Sequence, residues 1–165
     1  MKKNILLIFL FIYQISFSQQ LPPLVLSALE DFSPSTDRGY IPYYKDVKRN
    51  ALAINAATYK NQFSLAEYTY EGTADVYLAS IQTIAEDDGE STYKLYKNGK
   101  LLATVQNPTT DKKFETKELV YGKIKLKPGD NISIAFDSHT NGKIPEGDIT
   151  AYSRGRWVAL ILSYK

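Results

Sequence analysis

The residues best equipped for chemistry crowd into one stretch near the C-terminus. It runs Ser138-His139-Thr140-Asn141-Gly142-Lys143-Ile144-Pro145-Glu146-Gly147-Asp148, followed closely by Ala151-Tyr152-Ser153-Arg154-Gly155-Arg156-Trp157. Amides, hydroxyls, carboxylates, two arginines and the chain's single tryptophan stand together there. Such a mixture suits recognition of a sugar, whose apolar face stacks on planar side chains and whose hydroxyls need fixed polar partners. His139, Asn141, Glu146, Tyr152, Arg154 and Arg156 are the candidate ligand contacts of this stretch. A plainer reading competes at two of its positions. Trp157 opens an apolar run and reads as core, while Arg154 and Arg156 would share a face of a strand and could simply pair with local carboxylates.

A second polar cluster, Glu86-Asp87-Asp88-Gly89-Glu90-Ser91, sets oxygen donors around a flexible glycine. Asp88 and Glu90 are candidate ligands for a structural calcium ion, with Glu30 and Asp31 as remote candidates, although the EF-hand spacing is missing. The same acidic residues, with Glu146 and Asp148, could serve as a carboxylate pair for glycoside hydrolysis. A small polysaccharide lyase is the other enzymatic alternative, with Tyr152 as base, Arg154 and Arg156 to neutralise a uronate, and His139 nearby. A serine hydrolase has less support. His139 is the single histidine, and no Gly-x-Ser-x-Gly elbow accompanies it. With no cysteine, thiol nucleophiles, thiolate metal sites and redox pairs are excluded. No catalytic residue is therefore assigned.

The N-terminus is built like an export signal. Lys2 and Lys3 form a positive start, an apolar run covers 5–13, and Ser16-Phe17-Ser18 offers small residues before a cut after Ser18. The apolar run is far shorter than the ~20 residues that span a bilayer, so membrane insertion is not expected. The expected organisation is a signal peptide over 1–18 and a single domain over 19–165, periplasmic or extracellular. The chain has 20 basic and 18 acidic residues. With Lys2 and Lys3 removed, 18 basic residues balance 18 acidic ones. A neutral domain gives no general electrostatic attraction toward nucleic acid, so none is expected as a partner.

The elements that must position these residues read as strands. Short alternating runs, separated by Gly, Pro, Asn and Asp, predict an antiparallel all-β domain. Strands are expected over 24–29, 51–54, 62–70, 74–85, 93–96, 101–106, 119–126, 131–136, 150–153 and 157–164. Residues 30–48 and 137–148 are expected to be long loops. Within 74–85, Tyr77, Ala79 and Ile81 fall on one face. Asn98-Gly99 predicts a type I′ hairpin, since both residues tolerate positive φ. Residues 51–59 alone have helical propensity, at marginal length. So many strands with long loops imply a two-sheet sandwich or jelly roll.

Several motifs in this order carry a family resemblance: Arg49-Asn50-Ala51-Leu52-Ala53-Ile54-Asn55, Asp88-Gly89-Glu90-Ser91 leading to Tyr93, Asn98-Gly99, Asn107-Pro108, Pro128-Gly129-Asp130, Asn141-Gly142 and Arg154-Gly155-Arg156-Trp157. Together they resemble non-catalytic, lectin-like carbohydrate-binding modules of the β-sandwich type, which are commonly joined to secreted bacterial enzymes that degrade polysaccharides, including algal ones. The resemblance implies a polysaccharide ligand, a secreted polysaccharide-degrading enzyme as partner, and Asp88, Glu90, Asn107, Asn141, Glu146, Arg154 and Arg156 as contacts. With no catalytic domain alongside, the expectation is a free-standing binder or one part of an assembly. Binding of a protein through Gly39-Tyr40-Ile41-Pro42-Tyr43-Tyr44, as an adhesion module, is the remaining alternative.

Overall fold

The computed structural model describes residues 21–37 and 39–164, so the expected signal peptide lies outside the described residues. Thirteen strands form in chain order: β1 Leu24–Ser27, β2 Ser33–Pro34, β3 Tyr44–Asp46, β4 Ala51–Ala53, β5 Phe63–Thr69, β6 Asp75–Ala85, β7 Thr92–Lys97, β8 Lys100–Gln106, β9 Glu115–Leu126, β10 Asn131–Asp137, β11 Pro145–Glu146, β12 Ile149–Thr150 and β13 Trp157–Tyr164. One sheet runs β3-β4-β13-β6-β9, with β1 also paired to β13; the other runs β2-β5-β10-β7-β8. Every pairing is antiparallel. The all-β sandwich expected from the alternating runs is the fold observed.

Alternation explains how the sheets meet. On β6, Tyr77, Ala79 and Ile81 are fully buried, whereas Val76 and Leu78 on the opposite face are exposed. Leu160 and Leu162 of β13 point into the same layer, facing Leu95, Ile132, Ile134 and Phe136 of the second sheet. Burying a side chain of this size stabilises by about 1.5–3 kcal/mol, which is why disulfides are dispensable here. Trp157 is core, as its plainer reading held. It is fully buried and meets the ring of Phe32 edge-on, with centroids 4.9 Å apart. The Asn98-Gly99 turn joins β7 to β8 with φ of 49° and 76°, as a type I′ turn requires.

Three expectations need correction. Residues 30–48 are not all loop, because β2 pairs with β5, β3 pairs with β4, and a 3-10 turn spans Val47–Arg49. The loop 137–148 contains β11, which folds back on β12. β9 begins at Glu115 rather than at 119. Its first four residues are charged or polar because this strand is a sheet edge, paired only with β6.

The chain changes sheets repeatedly at one end of the sandwich: through 35–43 from β2 to β3, through 54–62 from β4 to β5, through 86–91 from β6 to β7, through 107–114 from β8 to β9, and through 138–156 from β10 to β13. Both polar clusters picked out in the sequence therefore converge at this end.

Candidate functional site

Two glycines let these crossings pack backbone against backbone. A Cβ on Gly89 would lie 2.0 Å from the carbonyl oxygen of His139, and one on Gly155 would lie 2.3 Å from that of Asp137. Gly155 also has φ of 59°, a conformation costly for residues with side chains. Around these contacts the polar residues stitch the loops together. The Ser153 amide donates to the His139 carbonyl at 2.8 Å, and the Ser91 and Ser153 hydroxyls lie 2.6 Å apart. Asn141 donates its Nδ2 to the Asp87 carbonyl at 2.9 Å, and its own amide donates to the Asp88 carbonyl at 3.0 Å. The Glu90 amide donates to Nδ1 of His139 at 3.1 Å. That nitrogen is thereby an acceptor within the scaffold.

Beneath this layer lies a buried charge cluster. The guanidinium of Arg156, 3% exposed, donates through Nε to Oδ2 of Asp46 at 2.8 Å and through Nη1 to Oε1 of Glu86. Oε2 of Glu86 accepts the Arg154 amide at 2.7 Å. Burial pushes Glu86 up to about 7, with Arg156 and the Arg154 amide pulling the other way. Burial also acts to raise Asp46, but Arg156 and Arg49 outweigh it and hold that carboxyl below its ordinary value. Asn107, 4% exposed, accepts from the Thr83 hydroxyl at 2.6 Å and donates to the Tyr93 hydroxyl at 3.1 Å. Two of the candidate contacts thus stand inside the protein: Asn107 has both side-chain amide atoms bonded within it, and Arg156 spends Nε and Nη1 on Asp46 and Glu86.

The outer surface of the same end is different. Two adjoining clefts of about 430 Å³ and about 170 Å³ share three residues, Asp88, Glu146 and Arg154. Phe114 stands in the larger cleft, 46% exposed, with the Arg49 guanidinium 3.8 Å from its ring centroid. Tyr152 lines the smaller cleft, with the Lys60 amine 5.5 Å from its centroid. Each compartment therefore offers one aromatic ring, and the shared wall offers a cation and two carboxylates. Arg154 is exposed and steadied by the Tyr44 hydroxyl, which accepts from Nη1 at 3.1 Å. Among the described residues the buried Oδ1 of Asp88 has no hydrogen-bond partner, and burial raises its carboxyl above the ordinary value.

Of the residues singled out in the sequence, the structure brings Asp88, Glu146, Tyr152 and Arg154 together at the clefts. Glu90, His139 and Asn141 stand behind them, half-buried, as ties between loops. Phe114 and Lys60 escaped notice, and Arg49 was named within a motif but not as a contact. The one available signal was a lone phenylalanine in the polar run 109–117, which an element-free segment has no packing reason to contain.

Asp88 and Glu90 were the candidate ligands for calcium. Calcium takes six to eight oxygens, yet no group of three or more His, Asp or Glu side chains among the described residues is arranged to hold a metal. The Glu90 carboxylate faces His139, 3.7 Å from Nδ1, and Asp31 accepts the Ser27 amide at 2.6 Å.

No protein-family model matches the chain. A relative in Formosa agariphila, described as uncharacterized protein P23, is 31% identical over 125 residues, covering 73% of this chain and 28% of the relative. The chain thus spans little more than a quarter of that protein's length. Among solved structures, the CBM36-1 domain of a multidomain xylanase from the hindgut metagenome of Trinervitermes trinervoides superposes with a TM-score of 0.51 at 10% identity, over 87% of this chain and 98% of that domain. Insecticidal crystal protein Cry2Aa superposes with a TM-score of 0.54 at 14% identity, over 86% of this chain and 21% of that one. At such identities these likenesses show the fold, a β-sandwich of the kind found in carbohydrate-binding modules.

Proposed function

We propose that the protein is an exported, non-catalytic carbohydrate-binding protein that holds a polysaccharide in the paired clefts at the loop end of the sandwich. One observation carries the reading: Phe114 and Tyr152 flank a shared wall of Arg154, Glu146 and Asp88. Aromatic faces match the apolar faces of successive sugar rings, and the charged wall between them matches ring hydroxyls. The fold, shared with a carbohydrate-binding domain, supports it. A lyase reading has less support, since Arg156 is buried and Nδ1 of His139 is engaged by the Glu90 amide.

The direct test is calorimetry or affinity electrophoresis against a panel of plant, algal and animal polysaccharides. Binding to at least one glycan is expected, without new reducing ends or unsaturated products. Arg154→Ala and Phe114→Ala should each weaken it about tenfold, the ~1.4 kcal/mol expected of one good contact. Failure to bind any glycan overturns the proposal. Export is tested separately by sequencing the N-terminus of protein recovered outside the cytoplasm, where a start just after Ser18 is expected.

A further inference from the structure

We propose that β9 is the seam of a two-fold dimer, in which its free edge pairs antiparallel with β9 of a second copy about a point between Val120 and Tyr121. This surface shares no residue with the loop-end clefts.

Both sheets end on the flank where β9 lies. β8 is the last strand of one sheet and β9 the last strand of the other, and the two run beside each other. β9 is twelve residues long and pairs only with β6, which leaves a row of its backbone N–H and C=O groups facing outward. Among the described residues one side chain bonds to the β9 backbone: the Lys97 amine donates to the Lys125 carbonyl at 2.7 Å. The stretch from 116 to 124 carries no such bond. Apolar side chains gather on the same flank. Val76 and Leu78 of β6, Leu101 and Leu102 of β8 and Val120 of β9 make up five of the ten large apolar side chains exposed among the described residues. Such a concentration marks a surface that another protein covers.

The order of charges along β9 selects a second copy as that protein. An edge guarded against pairing carries like charges, which repel a copy of itself. β9 changes sign about its middle, with Glu118 before Val120 and Lys123 and Lys125 after it. The bulge makes this order usable. Register pairs Val120 with Ser80 and Gly122 with Ala79, so Tyr121 is an extra residue. It shifts the alternation by one, and Glu118, Val120 and Lys123 therefore all stand on the outer face, opposite Gln82, Ser80 and Leu78. Without it, residues five apart would point to opposite faces. A two-fold axis between Val120 and Tyr121 then sets Glu118 opposite Lys123 of the second copy, on one face, and repeats the pair on the other side. The exposed Val120 side chains of the two copies meet across the axis. Among the described residues no carboxylate lies within ion-pair distance of the Lys123 ammonium. Glu118 spends Oε1 on the Ser80 hydroxyl at 2.6 Å and keeps Oε2 for the new partner.

Antiparallel pairing points the two loop ends in opposite directions, because β9 starts beside the clefts and finishes at the far end of the sandwich. A dimer thus holds two glycan chains together rather than gripping one chain twice. This consequence rests on the loop-end reading, and the dimer itself does not.

The test is sedimentation equilibrium of the full chain up to about 100 µM, where association with a Kd below about 10 µM leaves most of the protein dimeric. A dimer is expected. Glu118→Lys sets two lysines opposite each other and Lys123→Glu two glutamates, and each should weaken association about tenfold or more. The double variant restores opposite charges and should recover the parent's association, which a fold damaged by either change would not do. A parent chain that stays monomeric overturns the proposal. So does a dimer that neither single change weakens, or a double variant as weak as the singles. Any polysaccharide that binds the clefts should be cross-linked by the parent chain, read as a rise in turbidity, and bound without cross-linking by Glu118→Lys. Absence of glycan binding sinks the loop-end reading and leaves the dimer standing, whereas a monomer that binds glycan does the reverse. A dimer that binds glycan without cross-linking it overturns the opposed arrangement.

Discussion

Arg154 and Arg156 stand two residues apart and face opposite ways. Arg154 projects into the clefts beside Glu146 and Asp88, whereas Arg156 lies in the floor of the larger one, 3% exposed and held between Asp46 and Glu86. Regular strand geometry would set both on one face. Gly155 prevents this, since its positive φ reverses the local direction of the chain. The same division runs through the whole loop end. An inner layer of Arg156, Asp46, Glu86, Asn107, Ser91 and Ser153 is buried and hydrogen-bonded within the protein. An outer rim of Arg154, Glu146, Tyr152 and Phe114 meets solvent. Each layer holds an arginine and a glutamate, and burial separates the scaffold charges from the exposed ones.

Substitutions should divide along this line, and the largest effect belongs inside. Arg156→Met strands two buried carboxylates and should lower unfolding free energy by about 3–5 kcal/mol, read as the urea midpoint. A change under about 1 kcal/mol would contradict the buried cluster.

Glycines should follow the same division. Gly155→Ala meets the Asp137 carbonyl and should lose at least about 2 kcal/mol by the same measurement. Gly142→Ala on the rim has φ of 72° but open space around it, and should lose only about 1 kcal/mol. Equal losses would blur the distinction between the layers.

Asp137 adds a pH test at the junction of sheet and loop. Burial pushes its carboxyl up from 3.8 to about 6, against the pull of the Thr92 amide, His139 and Lys94. A folded-state value above the unfolded one means its contribution to stability is complete below about pH 3.8 and lost as pH rises through about 6. Asp137→Asn should therefore flatten the stability profile between those values. At pH 7 the variant should gain about 1–2 kcal/mol over the parent, after discounting for partial solvent screening. A profile unchanged across that window would refute the assignment.

On the rim, Arg154→Ala should alter stability by less than about 0.5 kcal/mol while still losing glycan affinity. The smallest effect concerns metal: EDTA should leave the melting temperature unchanged, and a drop of several degrees would show that a cation does bind the acidic turn.

The legible parts of the fold were those with two-residue alternation. Along β6, β10 and β13 the core side chains fall at every second residue, and the Asn98-Gly99 hairpin has its own chemical signature. β2 and β3 were not legible, because two or three residues hold no periodicity, and the partner of β2 lies far along the chain. The start of β9 was hidden for another reason, since an edge strand tolerates charges on both faces. At the site, Asp88, Glu146, Tyr152 and Arg154 could be picked out as polar loop residues. Phe114, Arg49 and Lys60 could not, because they reach the clefts from separate segments.

The sequence by itself determined that this is a cysteine-free β-sandwich with its polar chemistry concentrated in two stretches, since pattern and composition are local properties of a chain. Tertiary structure alone decided which members of those stretches are buried. It set Arg156 and Asn107 inside and Arg154 outside, brought Phe114 to the rim, and laid a tyrosine-bearing loop across the outer face of a sheet. Burial depends on which distant backbone covers a residue, and no run of neighbours along the chain encodes that cover.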